Sequence, residues 1–330
     1  MAVVPAKKIS MFNHKGGVGK TFLTFNIAAQ MAQLGHRVLL VDADPQCNLT
    51  SYLIDNDVVD NLLDNSDGEK GNTIWSGLKP VVEALGGPKL VEPFETSTDD
   101  LLILCGDIKL IEFEAEVNGF WADCFQRKSK GFRGIASISE LTDRVAESCD
   151  ADFVFYDSSP SIGPLNRVIL LDSDFFITPV ACDLFSLRGI KTLGRTLDSW
   201  IKDWGIISDL APEGLPLLSG KPRYLGYISQ SFPSYRDKPA KEFYRYLSLI
   251  DKEIRNELVE LLRLNDVGLV PEYKTGFSLG EVKDLGSLVP ASQRTGLPVW
   301  RVDQGTPDQR ASAKAIFRAV AERIIDHVGE

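Results

Sequence analysis

His14-Lys15-Gly16-Gly17-Val18-Gly19-Lys20-Thr21 is the stretch whose reading decides how this chain folds. A short apolar segment, Lys8–Phe12, precedes it, and an apolar, helix-like segment, Thr21–Leu34, follows and stops at Gly35. Strand, Gly-rich turn and helix in that order are the setting a phosphate-binding loop needs. The glycines let successive backbone N–H groups turn inward around an anion without Cβ clashes. The N-terminus of the following helix adds partial positive charge. Lys20 is then placed to reach the β- and γ-phosphates, and the Thr21 hydroxyl to ligate Mg²⁺. The expected ligand is a nucleoside triphosphate.

Working outward, apolar runs bounded by turn residues recur at Lys8–Phe12, Arg37–Val41, Leu101–Cys105, Phe153–Tyr156, Phe175–Val180, Arg223–Ile228 and Gly268–Val270. Several are continuous rather than alternating, as strands buried on both faces of a parallel sheet are. Helix-period segments lie between them at Thr21–Leu34, Ile135–Glu147, Ser186–Trp204, Ala240–Leu264 and Pro307–His327. This alternation predicts an α/β fold, a doubly wound, mostly parallel twisted sheet flanked by helices, with ligands at the carboxyl ends of the strands. The glycine loop, Asp42, Asp44 and Asp157 all fall at such ends. The chain reads as one domain over 1–330, with additions at about 55–98 (rich in Asp, Asn, Gly and Pro) and 205–222 (Pro/Gly-rich from Asp209).

Composition narrows the function classes. The 330 residues carry a net charge of −10, so the chain as a whole is no polycation and any DNA contact needs a local basic patch. No apolar run of 18 residues and no signal-peptide pattern stand out, so a cytoplasmic protein is expected, neither secreted nor membrane-spanning. Five widely spaced cysteines, none at Cys-x-x-Cys spacing, and three scattered histidines argue against a disulfide framework or a zinc site.

The glycine loop departs from the common pattern. Its first glycine position is His14, and a second lysine, Lys15, stands at its start. It resembles the deviant Walker A loop of the ParA/MinD family of P-loop ATPases. Val38-Leu39-Leu40-Val41-Asp42-Ala43-Asp44-Pro45-Gln46-Cys47-Asn48 is similar to that family's second motif, which usually ends Asp-Pro-Gln-Gly-Asn. Asp152-Phe153-Val154-Phe155-Tyr156-Asp157-Ser158-Ser159-Pro160 resembles its Walker B strand, and Ser158–Pro164 with Asn166 its switch region. Pro179–Gly189 looks like its dimer-facing strand-to-helix turn.

The resemblance implies ATP and Mg²⁺ as cofactors. Lys15, Gly16, Gly17, Val18, Gly19, Lys20, Thr21 and Phe22 would bind the nucleotide; Thr21 and, through water, Asp157 would hold Mg²⁺, with Asp42 organising its shell. Asp44 would position the attacking water. Lys15 would reach across a two-fold interface to the partner's phosphates, like an arginine finger in trans, so that ATP favours a homodimer. Pro271-Glu272-Tyr273 stands where the family commonly has the adenine-holding Pro-Arg-Asn, which carries Pro271 over; Tyr273 could stack on a base or simply pack.

Arg310, Lys314 and Arg318 form a stripe along the last helix, with Arg323 beside it and Ala313, Ile316, Phe317, Val320, Ile324 and Val328 opposite. The helix closes the sheet, touches a DNA backbone, or lies on a membrane as in MinD, which Asp326 and Glu330 oppose. Other basic clusters are Arg127, Lys128, Lys130 and Arg133, and Arg236, Lys238, Lys241 and Arg245. The leading expectation is a partition-type ATPase that binds DNA non-specifically, is nucleoid-associated, and is stimulated by a ParB-like partner. A membrane-positioning ATPase, an electron-transfer ATPase like the nitrogenase iron protein, and a regulatory or defence-associated ATPase using 55–98 are the competing classes. The cysteine positions do not suit the cluster the electron-transfer class requires.

Overall fold

The computed structural model describes residues 5–230 and 240–329, the second stretch with side chains from residue 245. Eight strands form one sheet: β1 (Lys7–Met11), β2 (Val38–Ala43), β3 (Phe94–Glu95), β4 (Leu101–Leu104), β5 (Phe153–Ser158), β6 (Phe175–Ala181), β7 (Arg223–Gln230) and β8 (Ser278–Val282). Their spatial order is β3-β4-β2-β5-β1-β6-β7-β8, parallel throughout except where the two-residue β3 pairs antiparallel with β4. The helices are α1 (Lys20–Gln33), α2 (Asn48–Leu53), α3 (Asn56–Asp64), α4 (Ile74–Val82), α5 (Leu110–Phe125), α6 (Ser129–Ser148), α7 (Pro164–Asp172), α8 (Leu184–Ser208), α9 (Ala240–Ile254), α10 (Glu260–Asn265), α11 (Leu288–Thr295) and α12 (Pro307–Gly329). The doubly wound α/β architecture expected from the alternation of runs is the one observed.

Burial explains why the central strands read as unbroken apolar runs. Every residue of β2, β5 and β6 is buried, because helices cover both faces. β1 lies between β5 and β6, so the loop at its carboxyl end opens between β-α units that lead to opposite sides. In the β2–β5 register Asp42 sits directly across from Asp157, which brings two motifs 115 positions apart in sequence onto adjacent strand ends.

Three expectations need correcting. Gly268–Val270 is not a strand: Val267–Leu269 is a 3₁₀ turn in which the Asp266 side chain accepts a hydrogen bond from the Gly268 N–H, and the eighth strand is β8. β8 lies at the sheet edge, so it is half-exposed and carries Gly280 and Glu281, which hides it from an apolar-run reading. Ala240–Leu264 is helical but broken by a π-turn at Arg255–Val259. Gly194 of α8 faces that turn so closely that an added Cβ would lie 1.8 Å from the Glu257 carbonyl oxygen. The stretch 55–98, with weak periodicity, nonetheless contains α3 and α4; a Thr73/Ser76 capping box starts α4, and Ile74, Trp75 and Leu78 enter the core. α5 also buries Leu110, Phe113, Val117, Phe120, Trp121 and Cys124 at helical spacing, a signal the sequence does carry.

α12 packs its Phe317 edge-on against Phe22 of α1 at 5.8 Å and buries Ala313, Val320, Ala321 and Ile324. Its cations are partly engaged: Arg310 donates to the carbonyls of Gln304 and Gly305, Arg318 pairs with Glu322 at 2.8 Å, and Arg323 donates to the Ser278 carbonyl. Lys314 is exposed on the same stripe. Arg236, Lys238 and the side chain of Lys241 lie outside the described residues.

Candidate nucleotide site

The loop leaves β1 at Phe12 and enters α1 at Lys20. Gly17 (φ 73°) and Gly19 (φ 72°) are both left-handed, so the turn requires residues without a Cβ. Gly19 has a second reason. A Cβ there would meet the Gln230 side-chain amide at 2.5 Å, at the end of β7. Asn13 is the scaffold of the turn: its Nδ2 donates to the Pro179 carbonyl of β6 at 2.7 Å, and its Oδ1 accepts from the Lys15 N–H at 2.9 Å. Val18 is buried beneath the loop, whereas Gly16 and Gly17 face outward.

Lys20 is buried, and its Nζ donates to the Asn13 carbonyl at 3.0 Å. Burial lowers its pKa, while Asp157 and Asp44 oppose that shift. Lys15 has different partners. Its Nζ contacts Asp183 Oδ2 at 2.5 Å and Ser186 Oγ at 3.3 Å, at the first turn of α8. His14 lies against Gly189 of the same helix, and burial followed by the Lys20 charge lowers its pKa.

The three aspartates are buried together at the ends of β2 and β5. Asp42 Oδ2 accepts from the Thr50 N–H (2.8 Å) and the Thr50 hydroxyl (2.6 Å) of α2, and burial still pushes its pKa to about 6. The Thr50 hydroxyl in turn accepts from the Gly106 N–H at 2.7 Å. Asp44 Oδ1 accepts from the Gln46 N–H at 3.0 Å. Asp157 is different: neither carboxylate oxygen has a hydrogen-bond partner. Burial, and then the Asp42 charge, push its pKa to about 8, with Thr21 and Lys20 opposing. An orphaned buried carboxylate costs free energy unless something answers it. With the Thr21 hydroxyl beside it, hard oxygen donors converge there, and they fit Mg²⁺. Among the described residues no cluster of three His, Cys, Asp or Glu side chains is arranged for a metal ion. Mg²⁺ bound by one or two protein oxygens plus phosphates needs no such cluster.

After β5, the Asn166 amide donates to the carbonyls of Ser159 (2.7 Å) and Ser161 (2.8 Å), so side-chain bonds hold this segment. Pro160 packs on Gly16, at ordinary van der Waals distance from where its Cβ would be. Lys15, Gly16, Gly17, Val18, Gly19, Lys20, Thr21, Asp42, Asp44 and Asp157 thus gather at one end of the sheet. Phe22 turns into the core instead, against α12. Pro271 lies after the 3₁₀ turn on the way to edge strand β8, and Tyr273 stacks flat on His327 at 3.7 Å. Sequence reading missed the parts played by Asn13, Thr50 and Gln230, and the pairing of Asp183 with Lys15, because each depends on a partner on another element.

A family model described as an AAA domain, AAA_31, matches residues 6–208. The chain belongs to that family. With its second lysine and its Asp42–Asp44 and Asp157 motifs, it is a P-loop ATPase of the ParA/MinD type. An uncharacterized Mycobacterium tuberculosis protein is 32% identical over 59% of this chain and 52% of its own length. The chromosome-partitioning ATPase Soj of Thermus thermophilus is 30% identical over 58% of this chain and 61% of its own. The match thus spans less than two thirds of either relative. The crystal structure of protein DIP2308 from Corynebacterium diphtheriae has the same fold, with a TM-score of 0.72, 24% identity and 98% of each chain covered. No described helix of this ParA/MinD-type chain is long and apolar enough to cross a membrane.

Proposed function

We propose that this protein binds ATP with Mg²⁺, dimerises around it, and hydrolyses it to partition DNA or position another large cargo. The observation that carries the reading is the orphaned Asp157 carboxylate beside Thr21 and Lys20 at the mouth of the glycine loop. Mg²⁺ would answer a buried carboxyl group whose oxygens make no hydrogen bond and whose pKa of about 8 otherwise leaves it mostly protonated at neutral pH. Mg²⁺ would be held by Thr21 and, through water, by Asp157, with Asp42 fixed by Thr50 behind it, and would supply charge neutralisation on the phosphates. Lys20 binds the β- and γ-phosphates after leaving the Asn13 carbonyl. The loop amides from Gly16 to Thr21 orient the phosphate chain, and Asp44 orients the attacking water. Lys15 leaves Asp183 and stabilises the phosphates of the partner protomer. The Thermus relative, named as a chromosome-partitioning ATPase, supports the partition reading. Arg310, Lys314 and Arg318 are the candidate DNA contacts, and a ParB-like protein is the candidate activator.

The test is solution mass with Mg-ATP, with ADP and without nucleotide, for wild type, Lys15→Ala and Asp44→Ala, followed by DNA retention at several salt concentrations. Asp44→Ala is expected to accumulate as an ATP dimer and Lys15→Ala to stay monomeric. Retention on DNA should require ATP and fall with salt. Identical masses in all conditions would remove the trans-lysine mechanism, and retention indifferent to nucleotide would remove the DNA step.

A further inference from the structure

Three features left over from the nucleotide chemistry meet at one place. A cavity of about 480 Å³ lies between the loop after α4 and the α5–α6 hairpin. The stretch 55–98 contributes Val81, in the last turn of α4, and Pro88 from the loop after it; the stretch 205–222 contributes Pro216; the basic cluster at the start of α6 contributes Lys130 and Arg133. Both additions to the sheet and one unassigned basic run therefore build a single surface, and none of its lining residues belongs to a nucleotide-site motif.

The surface is preformed. Its floor is Phe120, whose ring lies so close on α6 that a Cβ at Gly134 would come within 2.4 Å of it. The wall is tied back where Arg144 donates to the Pro88 carbonyl (2.6 Å) and the Lys89 N–H to the Gly77 carbonyl (2.8 Å). The volume is that of a pocket for a single bulky side chain or small ligand. Two exposed apolar side chains adjoin lining residues in sequence: Leu85 is 76% exposed and Leu217 42% exposed. A small ligand would leave them uncovered; a peptide would cover them.

Charge selects the peptide. Lys130 hangs 5.9 Å above the Phe120 ring, and Arg133 is exposed beside it, on a chain whose net charge is −10. The rim also carries Glu140, and the neighbouring Lys128 is paired with Asp123 at 2.9 Å. Two available cations around an apolar hollow suit one or two carboxylates flanking an apolar side chain. A duplex backbone instead needs an extended run of unpaired cations. We propose that this pocket docks an acidic segment of another protein, with a bulky apolar side chain on Phe120 and flanking carboxylates on Lys130 and Arg133. The proposal does not depend on the nucleotide reading.

The experiment titrates the full chain, by fluorescence anisotropy, into a labelled octapeptide with a central Leu-Phe pair between Asp-Glu pairs. Controls are the same peptide with a Gly-Gly centre, N-acetyl-leucinamide as competitor, and a short DNA duplex. The variants are Lys130→Glu with Arg133→Glu, and Gly87→Phe. An added Cβ at Gly87 meets only the Glu140 carboxylate, at 3.6 Å, so the larger side chain can fill the mouth without backbone strain. Thermal melting checks that each variant is folded. Saturable binding is expected, weakened about tenfold or more by the Gly-Gly centre, by charge reversal and by Gly87→Phe. The proposal is overturned by no saturation up to about 1 mM peptide, by binding that ignores both variants, by N-acetyl-leucinamide competing as strongly as the peptide, or by the duplex alone binding through Lys130 and Arg133.

Discussion

Lys15 and Asp183 are in contact within one protomer, ammonium to carboxylate at 2.5 Å, although they lie on different β-α turns. On the proposed trans role, this contact must open before Lys15 can reach a neighbouring nucleotide. Asp183 also caps α8, its Oδ1 accepting from the Ser186 N–H at 2.8 Å. Asparagine caps a helix about as well as aspartate, so Asp183→Asn removes the tether and keeps the helix. Both side chains are partly exposed, so the pair is worth at most about 1 kcal/mol. Asp183→Asn should therefore shift ATP-dependent dimerisation to about two- to fivefold lower protein concentration, measured by sedimentation. A weaker dimer would instead place Asp183 in the interface itself.

Gly19 is constrained twice, by its left-handed φ of 72° and by Gln230 over its missing Cβ. Gly19→Ala should lower the melting temperature and cost at least about tenfold in ATP affinity by calorimetry. Pairing it with Gln230→Ala relieves the collision and leaves the backbone strain, so partial recovery is expected. Full recovery would show that φ does not matter at this position.

Asp157 and Asp42 carry pKa values raised from 3.8 to about 8 and about 6. Between the unfolded and folded values the native protein binds more protons than the unfolded chain, so stability falls as pH rises across that window. The melting temperature of the nucleotide-free protein should drop from pH 5 to about 8 and then level. Asp157→Asn should flatten that drop, and Mg-ATP should oppose it in wild type. Parallel profiles for wild type and Asp157→Asn would contradict the orphaned-carboxylate reading.

At the other end of the sheet, the buried Lys8 ammonium lies 2.9 Å from Asp172 and 2.8 Å from Asp143, and Tyr156 donates to Asp172 at 2.6 Å. Burial opposes the charge on Lys8, but the two carboxylates outweigh it and its pKa is raised. Lys8→Met strands the buried Asp172 charge and should cost about 3–5 kcal/mol in urea unfolding. Adding Asp172→Asn should restore part of that loss.

Much of the fold was legible from apolar pattern, although α5, buried at helical spacing, was not picked out. β1, β2, β4, β5, β6 and β7 announce themselves as apolar runs, and α1 and α6 as periodic segments. β8 did not, because an edge strand keeps glycine and charge on its open side. Of the candidate site, the loop glycines, Lys20, Thr21 and the aspartates were readable, since anion binding and strand-end placement follow from contiguous residues. Asn13, Thr50 and Gln230 were not, because each matters only through a partner on another element.

By itself the amino-acid sequence determined the phosphate loop, the order of the three motifs and the wound sheet beneath them, because backbone freedom, charge and apolar periodicity are local properties. Only the tertiary structure decided that Asp42 faces Asp157 without answering its charge, that Lys15 rests on Asp183, and that two added stretches close one pocket with Lys130. Those relationships are distances between residues tens to more than a hundred positions apart, and close packing sets such distances after the local rules have been met.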